Sequence, residues 1–173
     1  MPNTSKVILR PVVLSDANDL LKWENDELNW SVSDTTSSYT LSDIILLIEK
    51  LEDIQEAKQA RYIILEASTR RAIGAVDLFD IDFSLETASV GILIAKNEDR
   101  RQGFAKESLV HLEQIARDEL GLEKLIAKVH QENTSSVKLF ESSGFSKKKL
   151  TRDGQLNNGD YIQTLIFEKC LKK

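Results

Sequence analysis

The chain of 173 residues has few of the side chains that build disulfide-held or metal-held folds. Its one cysteine, Cys170, excludes an internal disulfide and favours a reducing compartment. Two histidines, His111 and His130, are isolated from each other, so we predict no metal site. No apolar run approaches the ~20 residues of a membrane-spanning helix, and the N-terminal stretch has no signal-peptide core. We therefore expect a cytoplasmic protein without a membrane anchor.

The chain also lacks a strongly basic composition. Its formal net charge is -5, which argues against broad binding of nucleic acid or of an anionic membrane surface and is compatible with a cationic substrate. Hydrophobic residues make up 41% and charged residues 29% of the sequence, as in an ordinary globular protein. The length suits one domain, and we expect residues 1–173 to form it.

Short apolar stretches separated by polar turns predict the secondary structure. Their order is strand, two helices, three strands, helix, strand, helix and a C-terminal strand hairpin. This order predicts an α+β domain with a mixed, mainly antiparallel sheet of about seven strands and helices on both faces. We expect Ser15 to cap the first helix and Ser42 or Asp43 to begin the second. The polar segment 26–40 between them is predicted to be a loop over a pocket.

The stretch "RRQGFAKESL" (residues 100–109) begins the most regular helical pattern but has an unusual first turn. Helix N-termini carry partial positive charge and unpaired N–H groups, and Ser, Thr, Asp or Glu normally satisfy them. Here Arg100 and Arg101 come first, Gly103 and Phe104 offer no capping oxygen, and Lys106 adds a further cation. The pattern predicts a bound anion, most simply a phosphate group.

Two common phosphate-binding motifs do not fit this stretch. A P-loop needs a Lys-Ser/Thr pair after its glycines, and the segment has none. A dinucleotide-binding fingerprint needs three glycines in a parallel βαβ unit, whereas only Gly103 is present in a mainly antiparallel pattern. ATP or GTP hydrolysis and dinucleotide binding therefore lose support.

The spacing Arg100-x-x-Gly103-x-Ala105 after "VGILIA" resembles the pyrophosphate-binding signature of the GCN5-related N-acetyltransferases. The downstream "KLIAKVHQENTSSVKLFESSGF" supplies the strand, capped helix and Gly-Phe pair that the family places there. The stretches "ILRPVVLSDANDLLKW", "AIGAVDLFDI" and "ASVGILIA" also resemble members that acetylate polyamines or ribosomal-protein N-termini. The resemblance covers nearly the whole chain.

The resemblance implies that the anion is the pyrophosphate of acetyl-coenzyme A (acetyl-CoA). Backbone N–H groups from Arg101 to Lys106 would hold it, while the strand at 92–94 and Asn133 would bond the pantetheine arm from two sides. The same strand would offer a backbone N–H to the developing oxyanion. The residues that the resemblance assigns to acetyl-CoA are Ile92, Leu93, Ile94, Arg100, Arg101, Gly103, Phe104, Ala105, Lys106, Asn133 and Phe140.

The sequence departs from the family where catalysis is concerned. Many members carry a tyrosine seven residues after the asparagine, and its hydroxyl protonates the leaving thiolate. Position 140 is Phe, which has no hydroxyl to donate. The proton would then come from water or from another hydroxyl. The hydroxyl candidates are Tyr39, Ser142 and Ser143.

The group that takes the proton from the acceptor amine is also altered. Relatives often have a glutamate on the strand that here contains Ser89, and serine is not a useful base at neutral pH. Asp77 on the neighbouring strand is the replacement that the pattern favours, although a solvent-facing or turn-stabilising role fits it as well. Glu66 and Glu86 are weaker candidates.

These observations leave more than one function open. The leading hypothesis is acetyl transfer from acetyl-CoA to a primary amine of a polyamine-like small molecule, by direct attack in a ternary complex. A peptide or ribosomal-protein N-terminus is the alternative acceptor. Phe140 and Ser89 also fit a module that binds acetyl-CoA without turnover. The resemblance further implies a possible homodimer through strands or helices, and the C-terminal hairpin is a candidate surface.

For three side chains outside these motifs, only the local pattern gives a prediction. Trp23 and Trp30 flank the polar segment, where each is a candidate either for lining a substrate pocket or for local packing. His111 is expected on the solvated flank of its helix.

Overall fold

The computed structural model describes residues 4–26, 38–155 and 158–172. Trp30 and most of the predicted loop fall at 27–37, outside the described residues. Within the described ranges, the order of strands and helices agrees with the sequence prediction. One short helix at 54–57 is additional.

Seven strands form one sheet in the order β1-β2-β3-β4-β5-β7-β6. Neighbouring strands are antiparallel except β4 and β5, which are parallel. The predicted class, a mixed and mainly antiparallel sheet, is thereby confirmed. The strands are β1 (Val7–Pro11), β2 (Ala60–Glu66), β3 (Ala72–Asp82), β4 (Thr87–Ile94), β5 (Lys124–His130), β6 (Ser146–Gln155) and β7 (Tyr161–Cys170).

Helices cover both faces of the sheet, as predicted. Strand β2 shows why, because Ile64 belongs to the apolar cluster under one set of helices and Ile63 to the cluster under the other. Alternate residues of a strand point to opposite faces, so an apolar run such as this one is buried on both sides. The helices are α1 (Ala17–Glu24) and α2 (Leu41–Lys50) on one face, α4 (Phe104–Asp118) and α5 (Thr134–Ser142) on the other, and the short α3 (Ile54–Ala57).

The predicted caps of α1 and α2 are wrong. Thr40 caps α2: its hydroxyl accepts from the Asp43 backbone N–H at 3.2 Å, and the Asp43 carboxylate accepts from the Thr40 N–H at 2.8 Å. This reciprocal pair satisfies more backbone donors than a cap at Ser42 or Asp43 would. Ser15 lies inside a 3-10 turn that precedes α1, and the neighbouring Asp16 accepts from the Val13 N–H at 2.8 Å.

Candidate functional site

Strands β4 and β5 separate partway along the sheet. Their parallel pairing covers only three residue pairs and ends at Ser89 and Ile126. Beyond this point β4 continues to Ile94 beside β3, while β5 continues to His130 beside β7. The inner edges of the two strands therefore border a cleft. Ser89 is buried at the point where the cleft begins.

The backbone of β4 lies very close to Gly74 of β3 where β4 borders this cleft. Gly74 on β3 pairs with Ile94, and a Cβ atom at Gly74 would overlap the carbonyl oxygen of Leu93. The Leu93 carbonyl thus occupies space that any other residue at position 74 would need for its side chain. Gly74 is therefore required for the local course of β4.

A cavity of about 550 Å³, here called the loop cavity, lies between the end of β4 and the starts of α4 and α5. It brings together every residue predicted for acetyl-CoA except Phe140. Its lining consists of Ile92, Leu93, Ile94, Asn97, Asp99, Arg100, Arg101, Gly103, Phe104, Ala105, Lys106, Asn133, Ser135, Ser136 and Leu139.

The loop before α4 leaves the helix N-terminus open to this cavity. Arg101 and Gly103 both have left-handed backbone conformations, with φ of 61° and 86°. The first helical hydrogen bond of the turn is donated by the Glu107 N–H to the Gly103 carbonyl at 3.1 Å. The three preceding helical N–H groups have no acceptor within the helix, and such a terminus favours an anion.

Two arginine contacts hold this loop in place. The Arg100 Nε donates to the Ile94 carbonyl at 3.0 Å, so Arg100 ties the loop to the end of β4. Arg71 donates to both carboxylate oxygens of Asp99, at 2.7 and 2.9 Å. The hydrogen bonds from Arg71 hold the pKa of Asp99 below its ordinary value, although burial of the carboxylate opposes this shift.

Asn133 begins α5 and lies where the cleft opens. Its side-chain oxygen accepts from the Ser136 N–H at 3.2 Å, so it is a helix cap, as its position in the sequence predicted. Phe140, about two helical turns further on, is 4% exposed and packs edge-on against Phe145 with ring centroids 5.1 Å apart. Phe140 lines a second cavity and not the loop cavity.

This second cavity, here called the carboxylate cavity, has a volume of about 500 Å³. It shares Ile92, Leu93, Asn133 and Ser136 with the loop cavity, so the two meet in the cleft between β4 and β5. Its charged and hydrogen-bonding side chains include Glu24, Tyr39, Asp43, Arg61, Asp77, Lys128 and His130.

Asp77 is paired with a buried arginine. Arg61 faces Asp77 across β2 and β3, and its Nε and Nη2 each donate to one carboxylate oxygen at 2.7 Å. The third guanidinium nitrogen lies 3.5 Å from the Glu24 carboxylate on α1. Burial of the guanidinium is the largest single influence and lowers its pKa, but the charge and hydrogen bonds of Asp77 together with the charge of Glu24 outweigh it, so the pKa of Arg61 is raised.

The other hydroxyl and tryptophan candidates are dispersed. Tyr39 and Trp23 line the carboxylate cavity, and Trp23 also packs in the core beneath α1 and α2. Ser142 donates to the Leu139 carbonyl at 3.1 Å. The buried hydroxyl of Ser143 has no hydrogen-bond partner among the described residues. Neither serine belongs to the lining of the two cavities.

The remaining candidates lie away from the cleft. Glu66 accepts a hydrogen bond from Thr69 at 2.6 Å, and Glu86 adopts a left-handed turn conformation before β4. The expectation for His111 is wrong: it is half-buried, and its Nε2 lies 2.9 Å from the Ser5 hydroxyl. The N-terminal segment covers this flank of α4 because β1 packs beside the helix.

Four residues that line the carboxylate cavity were not predicted from the sequence: Arg61, Glu24, Lys128 and His130. A charged residue at the start of an otherwise apolar strand was a signal for Arg61. The spacing of Lys128 and His130, two residues apart on β5, was a signal that they share one face.

The comparisons with known proteins agree with this architecture. Residues 6–146 match the acetyltransferase (GNAT) domain family, and the chain belongs to that family. It is an acetyl-CoA-dependent N-acetyltransferase, and acetyl-CoA is its co-substrate. The backbone-lined loop cavity fits the diphosphate of this co-substrate, because the open α4 terminus supplies N–H donors without a competing capping side chain.

Similar proteins are found among bacteria and animals. The uncharacterized N-acetyltransferase p20 of Bacillus licheniformis is 30% identical over 165 residues, which cover 95% of this chain and 92% of that relative. The alpha/beta-tubulin-N-acetyltransferase 9 of Mus musculus is 26% identical over 133 residues, covering 68% of this chain and 55% of the relative.

Among solved structures, the spermidine N-acetyltransferase of Vibrio cholerae in complex with CoA and spermine has a similar fold. Its TM-score is 0.86 at 22% identity, with 97% of both chains covered. Among the described residues, no helix is long and apolar enough to span a membrane.

Proposed function

We propose that the protein transfers the acetyl group of acetyl-CoA to a primary amine of a small polyamine-like molecule, by direct attack in a ternary complex. The observation that carries the proposal is the junction of the two cavities in the β4–β5 cleft. The two cavities share Ile92, Leu93, Asn133 and Ser136 there. Two substrates held in adjoining cavities can react without a covalent enzyme intermediate.

The loop cavity is the proposed site for acetyl-CoA, which supplies an acetyl group activated as a thioester. Backbone N–H groups from Arg101 to Lys106 would bind its diphosphate, with charge from Arg100, Arg101 and Lys106. The backbone of Ile92, Leu93 and Ile94 and the Asn133 side chain would bind the pantetheine arm. Gly103, Phe104 and Ala105 would shape the turn, and Phe140 would pack at the junction.

The carboxylate cavity is the proposed site for the acceptor amine. Glu24, Asp43 and Asp77 supply negative charge there, and Tyr39 and Trp23 supply aromatic surface. Carboxylates attract an ammonium group, and aromatic faces add cation–π attraction. The spermine described in the similar Vibrio cholerae structure and the net charge of -5 support a polycationic acceptor.

Proton transfer from the amine completes the proposed reaction. Asp77 remains the carboxylate proposed to face the amine. Both of its oxygens accept from Arg61 at 2.7 Å, so both are already engaged by a guanidinium donor, which favours an electrostatic role. We propose that water carries the proton from the amine, and that water also protonates the leaving thiolate because Phe140 has no hydroxyl.

A peptide or protein N-terminus is the second candidate acceptor. It is favoured by the names of two animal relatives, the tubulin-N-acetyltransferases 9 of Mus musculus and Drosophila melanogaster, at 26% and 27% identity. A ribosomal-protein N-terminus belongs to the same class of acceptor.

An acceptor survey tests these alternatives. Release of the CoA thiol would be measured with spermidine, spermine, monoamines and peptides with free N-termini. We expect the polyamines to give the highest kcat/KM. Glu24→Gln, in the carboxylate cavity, should lower it, whereas Glu56→Gln, on exposed α3, is the matched control and should not. A higher kcat/KM for peptides would favour the second candidate, and CoA binding without transfer to any amine would contradict both.

Self-association is also part of the proposal. One similar solved structure is described as a dodecameric spermidine N-acetyltransferase of Vibrio cholerae. Here the C-terminal β6–β7 hairpin forms one edge of the sheet, with β6 outermost. Sedimentation velocity over a range of protein concentrations would test whether the chain forms dimers.

A further inference from the structure

A short N-terminal strap, residues 4–6, connects the start of the chain to helix α4. The Lys6 backbone N–H donates to the Glu107 carboxylate at 2.8 Å, and the Ser5 hydroxyl donates to the same oxygen at 2.5 Å. The Ser5 hydroxyl also lies 2.9 Å from the His111 Nε2. These bonds fix the strap against the first two turns of α4, next to the loop that precedes the helix.

The side chain of Lys6 extends from this strap to the loop itself. Its ammonium group donates to the Gln102 carbonyl at 3.2 Å. It would also lie 3.6 Å from a Cβ atom at Gly103. Lys6 is absent from the lining of the loop cavity, whereas Gly103 belongs to it. The ammonium group therefore contacts the loop from outside the cavity.

This contact determines the direction of a backbone donor. In a planar trans peptide, the carbonyl of residue 102 and the N–H of residue 103 point in opposite directions. Lys6 holds the Gln102 carbonyl on the outer side, so the Gly103 N–H is turned away from Lys6. The neighbouring Arg101 and Gly103 are both left-handed, and such a loop depends on outside contacts to keep its orientation.

The charge of Lys6 has a second effect. A cation near a helix N-terminus is unfavourable by itself because the terminus already carries partial positive charge. A bound diphosphate reverses the sign of this interaction. Arg100, Arg101 and Lys106 line the cavity from within, and Lys6 adds a fourth positive charge from behind the loop.

We propose that Lys6 is a positioning residue for diphosphate binding: it fixes the Gln102–Gly103 peptide so that the Gly103 N–H is available to the anion. This inference rests on the proposed use of the loop cavity for acetyl-CoA. It adds a role for a strap that lies almost one hundred positions before the loop, at a sequence separation of 96.

Binding measurements separate this role from a general loss of structure. Affinities for CoA and for S-acetylpantetheine, which has no diphosphate, would be measured for wild type, Lys6→Met and Lys6→Arg. We expect Lys6→Met to weaken CoA binding about tenfold and to leave S-acetylpantetheine binding unchanged. Lys6→Arg retains a cationic donor and should restore most of the CoA affinity. Lys148→Met, on exposed β6, removes the same charge elsewhere and is the matched control.

The outcomes are distinct. Equal weakening for both ligands, or no weakening of CoA binding in Lys6→Met, would overturn the role of Lys6. If Lys148→Met weakens CoA binding as much as Lys6→Met does, the effect is due to net charge alone. This result would also overturn the role of Lys6. If wild type binds neither ligand, the proposed site fails together with this inference. If wild type binds CoA and acetylates an amine while Lys6→Met behaves like wild type, only this inference fails.

Discussion

The two cavities that meet in the β4–β5 cleft are built in different ways. The loop cavity depends on backbone: an open helix terminus, two left-handed residues and the Leu93 carbonyl that lies close against Gly74. The carboxylate cavity depends on side chains from β2, β3, α1 and α2, including the paired Arg61 and Asp77. A backbone-built cavity tolerates many side-chain changes but few changes of backbone path. A cavity built from side chains can change its ligand through single substitutions.

The largest expected effect is the loss of stability caused by replacing Arg61 in the carboxylate cavity. Arg61→Met leaves Asp77 and Glu24 as neighbouring, mostly buried carboxylates, and the free energy of unfolding should fall by roughly 3 kcal/mol. Denaturant unfolding at neutral pH would measure the loss. Arg117→Met removes an arginine from a surface ion pair and should have little effect. Equal losses in the two variants would contradict a structural role for the Arg61 pair.

The second-largest effect is expected from replacing Gly74, which lies against the β4 backbone beside the loop cavity. Gly74→Ala places a methyl group against the Leu93 carbonyl, so β4 must shift and the free energy of unfolding should fall by roughly 1–3 kcal/mol. CoA affinity, measured by titration, should fall as well. Gly91→Ala on β4 is the matched control, because its Cβ atom would meet only Phe79 Cε1 at 3.6 Å. Similar results for both glycines would contradict a special role for the close approach of the Leu93 carbonyl to Gly74.

A substitution of Arg101 should have a smaller effect, and it separates the contribution of side-chain charge to CoA binding from that of the backbone N–H groups. Arg101→Gly removes a cation and relieves a left-handed conformation, so CoA affinity should fall about tenfold while stability is kept. Arg101 is a cleaner probe than Arg100, which also bonds the Ile94 carbonyl. CoA titrations at low and high salt would measure the effect, which should diminish with salt. Unaltered affinity would mean that the backbone donors and the remaining cations suffice.

A further substitution tests whether Asp77, in the carboxylate cavity, acts through its charge or as a base. Asp77→Asn should raise the KM for the acceptor about fivefold through lost negative charge, with no change in the shape of the pH–rate profile. Steady-state kinetics from pH 5 to about pH 9 would show this. If the acidic limb of the profile disappears in the variant, Asp77 accepts the proton and the electrostatic role is wrong.

The smallest effect concerns acid stability beside the loop cavity. Because the pKa of Asp99 is lowered in the folded state, its contribution to stability is present above the unfolded pKa, about 3.9, and is lost as the pH falls through the folded pKa. Arg71→Gln raises that pKa toward its ordinary value, so acid unfolding should begin at a higher pH. Circular dichroism during acid titration measures this, with Arg70→Gln as the control. If wild type and Arg71→Gln unfold at the same pH, Arg71 does not stabilise the ionised Asp99 carboxylate.

The sequence predicted the loop cavity better than the carboxylate cavity for a physical reason. An open helix start with Gly103 is a local pattern, and the residues that contribute to it are close together in the chain. Arg61 and Asp77 meet only through the register of β2 on β3, and Glu24 meets them only through the packing of α1. Such contacts depend on how the whole sheet and its helices align. A linear pattern does not contain that information.

The order of strands and helices along the chain and the class of fold were predictable, but smaller features were not. The alternation of strands and helices predicted the α+β class. The cap at Thr40 was missed because several polar residues in a row could serve, and the reciprocal bond with Asp43 decides between them. No local break in the strand pattern marks the early end of β4–β5 pairing at Ser89, because β4 stays apolar beyond it and β5 continues with alternating apolar and polar residues.

The short pairing between β4 and β5 has a mechanical consequence. Only three residue pairs join the four-stranded part of the sheet, β1 to β4, to the three-stranded part formed by β5, β7 and β6. A ligand that bonds the inner edges of both β4 and β5 would link the two parts of the sheet. It would stabilise the folded state by mass action. Amide hydrogen exchange along the inner edges should therefore slow when CoA is bound, and the slowing should extend to Ile126 on β5, beyond the lining of the loop cavity.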